Sequence, residues 1–459
     1  MRRFRFAVTC ILPFVLVLEL LPGCSSPGRK SEVDEKSVKT AKVGDMFEFD
    51  IAATNSSDTE KKPYVILISI DGYRFDYNRL FSPPNLLQVA REGVAAESLR
   101  PSYPSKTFPN HYTLVTGLYP EHHGIVSNEF FDPARGEGYS LTDRKSSEDG
   151  SWYFGEPLWI TAQKQGMLTA SYFWVGSEAD IQGIHPNYYF RYDDKVSYDA
   201  RVDQAISWLK LSSARRPHFI TLYFERVDQA AHKHGVMSAE VKDAVKEIDR
   251  AIGRLRAGVA QTGLSVNIVI VSDHGMQDLD PKKVSYLDDL PWAKFVLSKF
   301  QVVGRGPQML LYLNPGENPS LIDEAQKLIK RGAKGYQVYK RDEMEHFHYR
   351  ATPRVGDLII VPDAPYSVGL RATPPAITGA NHGWDAYRNK NMHGIFYAVG
   401  PQVAEKGHLG VVDNIDVYPL VLRLLDLKQR VPIDGSLSPV QSALRPDSGA
   451  SSRHDSSAH

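Results

Sequence analysis

The segment "YVILISIDGYR" (residues 64–74) decides the fold class of this chain. Its residues 64–70 form a nearly continuous apolar run, which is typical of a parallel strand buried on both faces, and Asp71 and Gly72 end the run. Amphipathic helical patterns follow, for example at residues 198–212. Strands alternating with such helices predict an α/β fold whose central, mostly parallel sheet is flanked by helices on both faces.

Two further apolar runs end in the same way. "HFITLYFERVD" (residues 218–228) ends in Asp228, and "VNIVIVSDHGM" (residues 266–276) places Asp273 after its run. Taken singly, an aspartate after a strand is usually a turn former or a helix cap. In α/β sheets, however, ligands bind beyond the carboxyl ends of the strands. Three strands that each end in an aspartate therefore predict a site on which the carboxylates converge.

Histidines accompany these aspartates. His232 follows the second aspartate by one helical turn, His274 directly follows the third, and His382 occurs later in "GANHGWD" (residues 379–385). Aspartate and histidine together are ligands of zinc or a similar transition metal, whereas magnesium takes mostly oxygen. Two such ions a few ångströms apart can clamp a phosphoryl group during in-line transfer.

The charge balance narrows the class of substrate. The chain has 459 residues, with 54 lysines plus arginines against 54 aspartates plus glutamates. This balance supplies no net field to attract a polyanion. We therefore expect a small substrate and no nucleic-acid polymer as partner.

The first 24 residues have the features of an export signal. "MRRFRF" is positively charged, "ILPFVLVLELL" is apolar but too short to span a bilayer stably, and "LPGC" ends at Cys24. This pattern resembles a bacterial lipoprotein signal with a lipid on Cys24, and the serine that follows favours the outer membrane, facing the periplasm or the cell surface. A plain signal peptide with an incidental cysteine is the alternative. If Cys24 does carry a lipid, the membrane is a partner of this chain only through that lipid.

Composition also predicts the domain boundaries. Residues 25–62 are polar and are predicted to form a tether, with a short ordered piece at "MFEFDIA". Residues 63–440 are predicted to form the catalytic domain, and residues 441–459 a disordered tail. Within the domain, residues 278–370 have the pattern of a small inserted α+β subdomain.

Six sequence blocks resemble one enzyme family in content and in order. They are "SIDGYRFDY", "TFPNHYTLVTGLYPEHHGIVSN", "WVGSEADIQGIHPNYYFRYDD", "ERVDQAAHKHG", "VSDHGM" and "NHGWDAYRNKNMHGIFYAVGP". Over residues 63–425 the chain resembles the nucleotide pyrophosphatase/phosphodiesterase family of the alkaline phosphatase superfamily. The resemblance implies an alkaline-phosphatase-like fold and hydrolysis of nucleotide phosphodiesters and nucleoside polyphosphates.

The same resemblance implies two zinc ions per subunit. It assigns one ion to Asp228, His232 and His382, and the other to Asp71, Asp273, His274 and the hydroxyl of Thr107. Thr107 would be the nucleophile that forms a covalent phospho-threonine intermediate. It stands where a helix is predicted to begin, so it could also be the N-cap of that helix. Asn128 resembles the residue that donates to a non-bridging phosphate oxygen.

Three aromatic residues are predicted to contact the substrate. Phe108 and Tyr223 match family positions that sandwich a nucleotide base, and Tyr189 is a third candidate, next to Tyr188. Stacking of a base on an aromatic ring contributes about 1–3 kcal/mol. The alternative is that Tyr223 belongs to the core and that Phe108 packs the helix.

Several other functions remain open at this point. A sulfatase is disfavoured, because alignment on residues 116–120 places Thr107 where its cysteine should be and leaves Ser102 out of register. A phosphate monoesterase would hold its dianionic substrate with cations, for which Arg191 and Lys195 are candidates. A phospholipid or choline-phosphate diesterase and a catalytically silent binding protein are further alternatives.

Overall fold

The computed structural model describes residues 46–50 and 52–446. Its strands, in chain order, are β1 (Met46–Glu48), β2 (Tyr64–Ile70), β3 (Val94–Arg100), β4 (Glu129–Asp132), β5 (Glu137–Ser140), β6 (Thr169–Tyr172), β7 (Tyr188–Phe190), β8 (Phe219–Phe224), β9 (Val266–Val271), β10 (Gln277–Asp278), β11 (Val284–Tyr286), β12 (Phe300–Val303), β13 (Met309–Leu313), β14 (Tyr336–Lys340), β15 (Leu358–Pro362), β16 (Ser367–Gly369), β17 (Ala380–Asn381), β18 (Phe396–Val399) and β19 (Gly407–Asp413).

The α-helices are α1 (Tyr77–Phe81), α2 (Pro84–Glu92), α3 (Thr107–Thr116), α4 (Pro120–His123), α5 (Arg144–Ser147), α6 (Leu158–Gln163), α7 (Tyr198–Leu209), α8 (Arg226–His234), α9 (Ala239–Thr262), α10 (Ala293–Lys299), α11 (Leu321–Arg331) and α12 (Val417–Leu424). Serine side chains start two of them where the sequence predicts helices. The hydroxyl of Ser197 accepts a hydrogen bond from the amide of Ala200, and that of Ser238 from the amide of Val241.

Nine strands form the central sheet, in the order β1-β7-β6-β8-β2-β9-β18-β3-β19. The five strands from β7 to β9 are parallel to one another, whereas β1 and β18 are antiparallel to their neighbours. The α/β class with a mostly parallel sheet is therefore confirmed.

Alternate residues of β2 enter different apolar clusters on the two faces of this sheet. Val65 and Leu67 pack in one cluster, which includes residues of α3, α6 and α12. Ile66 and Ile68 pack in the other, which includes residues of α2, α7 and α9. Burial on both faces explains why the sequence of this strand is apolar throughout.

A second, antiparallel sheet lies within residues 278–370. Its strand order is β12-β13-β15-β14, and α11 packs with it around a separate apolar cluster. Along the chain, β13 is followed by α11, β14 and β15. β10, at the start of this segment, pairs antiparallel with β17, which follows the segment. His382 directly follows β17.

Strand β1 lies within the ordered piece predicted at "MFEFDIA", but folded structure also continues beyond that piece into the rest of the predicted tether. β1 pairs with β7, and Asn55 is buried, with its amide nitrogen donating to the carbonyls of Ser213 and Arg216 at 2.7 Å. The described residues before position 63 therefore belong to the folded domain, because burying Asn55 satisfies backbone groups of the surrounding loops.

The predicted tail likewise begins too early, since Ala443 is buried and Arg445 pairs with Glu405. Cys24, the predicted signal and residues 25–45 of the predicted tether lie outside the described residues. Among the residues that are described, no helix has the length and apolarity needed to cross a bilayer.

Candidate active site

Neighbouring parallel strands bring the predicted ligands to one edge of the sheet. β2 lies between β8 and β9, so the three carboxyl ends are adjacent. Asp71 directly follows β2, and Asp273 lies just beyond β9. Asp228 is reached through the first turn of α8, which begins just after β8. The predicted convergence of the three strand ends is thus a property of the sheet.

One cluster of ligand atoms surrounds Asp71. The ligand atoms of Asp71, Asp273 and His274 lie within 4.8 Å of one another. Nε2 of His274 is 3.4 Å from Oδ1 of Asp71 and 3.0 Å from Oδ2 of Asp273. The Thr107 hydroxyl lies 3.2 Å from the same nitrogen. The structure therefore gathers the four groups predicted for one ion.

A second cluster adjoins the first. Asp228, His274 and His382 also offer ligand atoms within 4.8 Å of one another. His232 faces this cluster from the next turn of α8, with its Nε2 3.1 Å from Nε2 of His382 and 3.4 Å from Oδ2 of Asp228. The assignment of His232, rather than His274, to the ion shared with Asp228 and His382 stays a prediction.

The three histidines are oriented by backbone carbonyls. Each Nδ1 lies 2.9 Å from a carbonyl oxygen: that of Ala380 for His232, Gly275 for His274 and Ser105 for His382. A carbonyl only accepts, so each Nδ1 carries the proton and each Nε2 presents its lone pair to the cluster. This second set of contacts is typical of histidines that bind metals.

The buried carboxylates also fit a cation. Oδ1 of Asp71, Oδ1 of Asp228 and Oδ2 of Asp273 are buried and have no hydrogen-bond partner among the described residues. Burial and the neighbouring carboxylates of Asp273 and Asp228 raise the pKa of Asp71 well above its ordinary value. Bound cations would offset the cost of collecting these charges in a buried site.

Burial also acts on His382. Together with the neighbouring His274 and His232, it lowers the pKa of His382 well below the ordinary value. The ring is therefore neutral and can bind a metal through its free nitrogen. The donor set of aspartate and histidine, without cysteine, suits zinc or a similar transition metal.

Thr107 is the first residue of α3, and the N-cap is Lys106, whose side chain makes no capping hydrogen bond. The predicted N-cap role of Thr107 is therefore wrong, because its hydroxyl faces His274. The capping contact comes instead from Asn128, whose Oδ1 accepts a hydrogen bond from the amide of Phe108 at 2.9 Å. With Oδ1 engaged in this way, the amide nitrogen of Asn128 is left to donate to a substrate oxygen.

A cavity of about 570 Å³ opens above these groups. Phe108 and Tyr223, the two predicted base contacts, line it, and Leu141, Trp174 and Tyr192 add apolar and aromatic surface. Tyr223 has a further role, because its phenol donates to Asp71 at 2.6 Å. The cavity is large enough for a ligand of nucleotide size.

Tyr189 is not among the residues that line the cavity. Its ring stacks between Phe47 and His185, at centroid distances of 5.3 Å and 4.9 Å. Tyr192, beyond the end of β7, reaches the cavity instead and lies 6.0 Å from the ring of Tyr223. The sequence offers several tyrosines in "NYYFRY", and only the point where β7 ends decides which of them faces the site.

Glu178 and Arg144, two charged residues at the cavity wall, are also not identified by the sequence analysis. Oε1 of Glu178 accepts from the amide of Tyr192 at 2.8 Å, and Arg144 donates to the carbonyl of the same tyrosine at 3.0 Å. Arg191, a candidate phosphate donor, instead pairs with Glu148 at 3.1 Å. Neither Arg191 nor Lys195 lines the cavity.

His111 is another residue that sequence analysis does not identify. Its Nδ1 lies 2.9 Å from the carbonyl of Thr107 and 3.2 Å from Oδ2 of Asp273, and its Nε2 lies 2.8 Å from the hydroxyl of Ser69. His111 thus connects α3 to β2 and to the loop after β9. Its position one turn after Thr107 on a buried helix is the only signal in the sequence.

Comparisons with known proteins agree with this geometry. The family model described as type I phosphodiesterase / nucleotide pyrophosphatase matches residues 65–395. Ectonucleotide pyrophosphatase/phosphodiesterase family member 3 of Rattus norvegicus is 34% identical over 386 residues, which are 82% of this chain and 43% of that protein. Venom phosphodiesterase CdcPDE of Crotalus durissus collilineatus is 34% identical over 387 residues, which are 82% of this chain and 46% of that protein.

The chain thus spans less than half the length of these curated relatives. Among solved structures, murine ectonucleotide pyrophosphatase / phosphodiesterase 5, an inactive threonine-to-alanine variant in complex with AMP, superposes with a TM-score of 0.77. It is 28% identical, and the match covers 84% of this chain and all of that one.

Proposed function

Because the chain belongs to the type I phosphodiesterase / nucleotide pyrophosphatase family, we propose that it hydrolyses nucleotide phosphodiesters and nucleoside polyphosphates. One observation carries the proposal: the hydroxyl of Thr107 lies 3.2 Å from Nε2 of His274, at the junction of the Asp/His clusters and the aromatic cavity. The proposed nucleophile, the proposed metal ligands and the cavity that would hold the substrate are therefore contiguous.

The metal ligands are proposed to hold two zinc ions, through the seven residues Asp71, Thr107, Asp228, His232, Asp273, His274 and His382. When bound, zinc lowers the pKa of a hydroxyl ligand and stabilises negative charge on phosphate oxygens. Thr107 lies at the positive end of α3, which favours the anion that forms on its oxygen. The solved relative that is inactive as a threonine-to-alanine variant, and that binds AMP, supports the proposal that Thr107 is the nucleophile.

The proposed reaction has two displacements. The Thr107 oxygen gives up its proton and attacks phosphorus in line, and the bond to the leaving oxygen breaks. The leaving group departs and takes up a proton, and a phospho-threonine that still carries the nucleoside forms. Water then attacks the same phosphorus, releases the nucleoside monophosphate and restores the Thr107 hydroxyl. The amide nitrogen of Asn128 donates to a non-bridging oxygen in both steps.

The cavity favours a diester over a monoester. Arg144 is the single lysine or arginine among the described lining residues, and it is already paired with Glu148 at 2.7 Å. A dianionic monoester would find no free lysine or arginine among these lining residues to hold its extra charge, whereas the apolar surface of Phe108, Leu141 and Tyr192 suits the nucleoside of a diester.

The decisive assay compares p-nitrophenyl thymidine monophosphate with p-nitrophenyl phosphate, using zinc-loaded protein and a Thr107→Ala control. We expect a strong preference for the diester that the variant abolishes. Preference for the monoester would indicate a phosphatase, and faster cleavage of a choline-phosphate diester would indicate a lipid head-group substrate. No hydrolysis of any of them would indicate a binding protein. Metal analysis of the same sample should give two zinc ions per chain.

We also propose that the mature protein is a lipoprotein anchored through Cys24 in the outer membrane. The export signal in the first 24 residues supports this location. Mass spectrometry of the mature N-terminus, with fractionation of inner and outer membranes, tests it. Soluble protein that begins after Cys24 would exclude the anchor, and recovery with the inner membrane would contradict the sorting.

A further inference from the structure

Strand β1 forms one edge of the central sheet, beside β7. Phe47 pairs with Tyr189 in antiparallel register, and Met46 with Phe190. Tyr192 follows soon after this pairing ends, and it lines the cavity. The position of β1 therefore bears directly on the segment that carries Tyr192.

A chain of side-chain contacts extends from β1 to Tyr192. The guanidinium of Arg191 lies 5.2 Å from the ring centroid of Phe47 and donates to Glu148 at 3.1 Å. Glu148 also accepts from Arg144 at 2.7 Å, and Arg144 donates to the carbonyl of Tyr192 at 3.0 Å. Glu148, Arg144 and Tyr192 line the cavity, so these contacts connect Phe47 and Arg191, which do not line it, to the cavity wall.

The backbone of Tyr192 is thus held from two sides. Its amide donates to Glu178 and its carbonyl accepts from Arg144, while its ring packs edge-on against Phe173 at 5.2 Å. Arg144 and Arg191 are more than half exposed, so either ion pair alone contributes little. The Phe47 ring lies 5.2 Å from the Arg191 guanidinium, a contact that favours the side-chain geometry that reaches Glu148.

We propose that Phe47 and Arg191 position Tyr192 as the outer wall of the nucleoside subsite, so that β1 sets the affinity for the nucleoside part of the substrate. This inference rests on the proposed phosphodiesterase activity. It makes Phe47 a positioning residue, since it acts through Arg191, Glu148 and Arg144. The alternative is that β1 only covers a sheet edge that would otherwise be free to associate.

The experiment compares two diesters in the full-length protein. p-Nitrophenyl thymidine monophosphate carries a nucleoside, whereas methyl p-nitrophenyl phosphate carries only a methyl group in its place. Phe47→Leu keeps an apolar strand residue but removes the ring, and Arg191→Met keeps the length of the side chain but removes the charge. Met46→Leu, on the same strand, is the matched control because Met46 is exposed and takes no part in the contacts.

We expect Phe47→Leu and Arg191→Met each to raise KM for the nucleoside diester about three- to fivefold at constant kcat. Both should leave kcat/KM for the methyl diester unchanged. Because the two residues act in series, the double variant should be no worse than the worse single variant. Met46→Leu should match the unmodified protein.

Equal losses on both diesters, or a fall in kcat with KM unchanged, would show that β1 has a general structural role and overturn the proposal. Unchanged KM in both single variants would overturn it as well, as would additive losses in the double variant. Failure of the proposed function is distinguishable, because the unmodified protein would then show no preference for the nucleoside diester over the methyl diester, or would hydrolyse neither.

Discussion

The phenolic hydroxyl of Tyr223 donates a hydrogen bond to Oδ2 of Asp71, with the two oxygens 2.6 Å apart. The residue predicted to stack on a base therefore also orients Asp71, a proposed metal ligand, whose other oxygen, Oδ1, is buried without a hydrogen-bond partner among the described residues. One side chain thus serves both the cavity and the metal cluster.

Tyr223→Phe should weaken metal binding more than substrate binding. The ring is kept but Asp71 loses the donor that orients it, and loss of such a contact lowers metal affinity about 10- to 100-fold. Zinc titration of apoprotein, followed by activity, should show a shifted midpoint with full activity at saturating zinc. Tyr192→Phe is the control, and an unchanged midpoint in Tyr223→Phe would contradict the orienting role.

Metal removal should lower both activity and stability. Without cations the carboxylates of Asp71, Asp228 and Asp273 are crowded in a buried site. Dialysis against a chelator should abolish hydrolysis and lower the melting temperature, and zinc at 100 times its Kd should restore about 2.7 kcal/mol of folding free energy. A melting temperature that is indifferent to zinc would argue against a metal site in these residues.

Two substitutions of Asn128 separate its two roles. Asn128→Ala removes both the acceptor for the Phe108 amide and the donor to phosphate, so it should lose about 1 kcal/mol of stability and 10²- to 10³-fold in kcat. Asn128→Asp keeps the acceptor and loses the donor. Thermal melts should therefore show recovery in Asn128→Asp while kcat stays low, and recovered kcat would exclude the donor role.

The buried carboxyl of Glu178 should make stability depend on pH. Burial raises its pKa to about 7, so the folded state prefers the protonated form. The stability it contributes is present below the unfolded pKa, near 4.5, and is lost as pH rises through about 7, to a limit of about 3 kcal/mol. Glu178→Gln keeps the acceptor for the Tyr192 amide and cannot ionise.

Melting temperatures across pH 4.5 to 8 test this expectation. The variant should match the unmodified protein at the acid end and exceed it increasingly up to pH 7, with a constant gain above that. Asp203→Asn, at an exposed ion pair, is the control for general charge effects. A gain for Glu178→Gln that is equally large at pH 4.5 would show that ionisation is not the cause.

Much of the fold and most of the candidate metal-binding residues follow from local sequence. An uninterrupted apolar run such as residues 64–70 must be buried on both faces, and the aspartates that end such runs must lie at one edge of a parallel sheet. Asp228 and His232 share a helix face by spacing alone. The apolar runs, the turn residues and the residue types that can bind a metal can all be identified from short stretches of sequence.

Contacts between distant segments could not be found in this way. Thr107 was predicted to cap a helix, yet the cap comes from Asn128 and the hydroxyl faces His274. The composition of residues 25–62 predicts a tether with a short ordered piece at "MFEFDIA", which contains β1, but it does not predict that β1 pairs with β7 across more than a hundred residues of chain. Such partners are chosen by the packing of whole elements, and no local pattern records them.

The sequence by itself determined the α/β class, the strand ends and the residue types that can bind a metal, because periodicity and side-chain chemistry are local properties. Only the tertiary structure decided that Tyr192 rather than Tyr189 reaches the cavity, and that Tyr223 also orients Asp71. The physical reason is geometric. A strand fixes which face a residue occupies, but the distance to a partner is set by where separate elements pack.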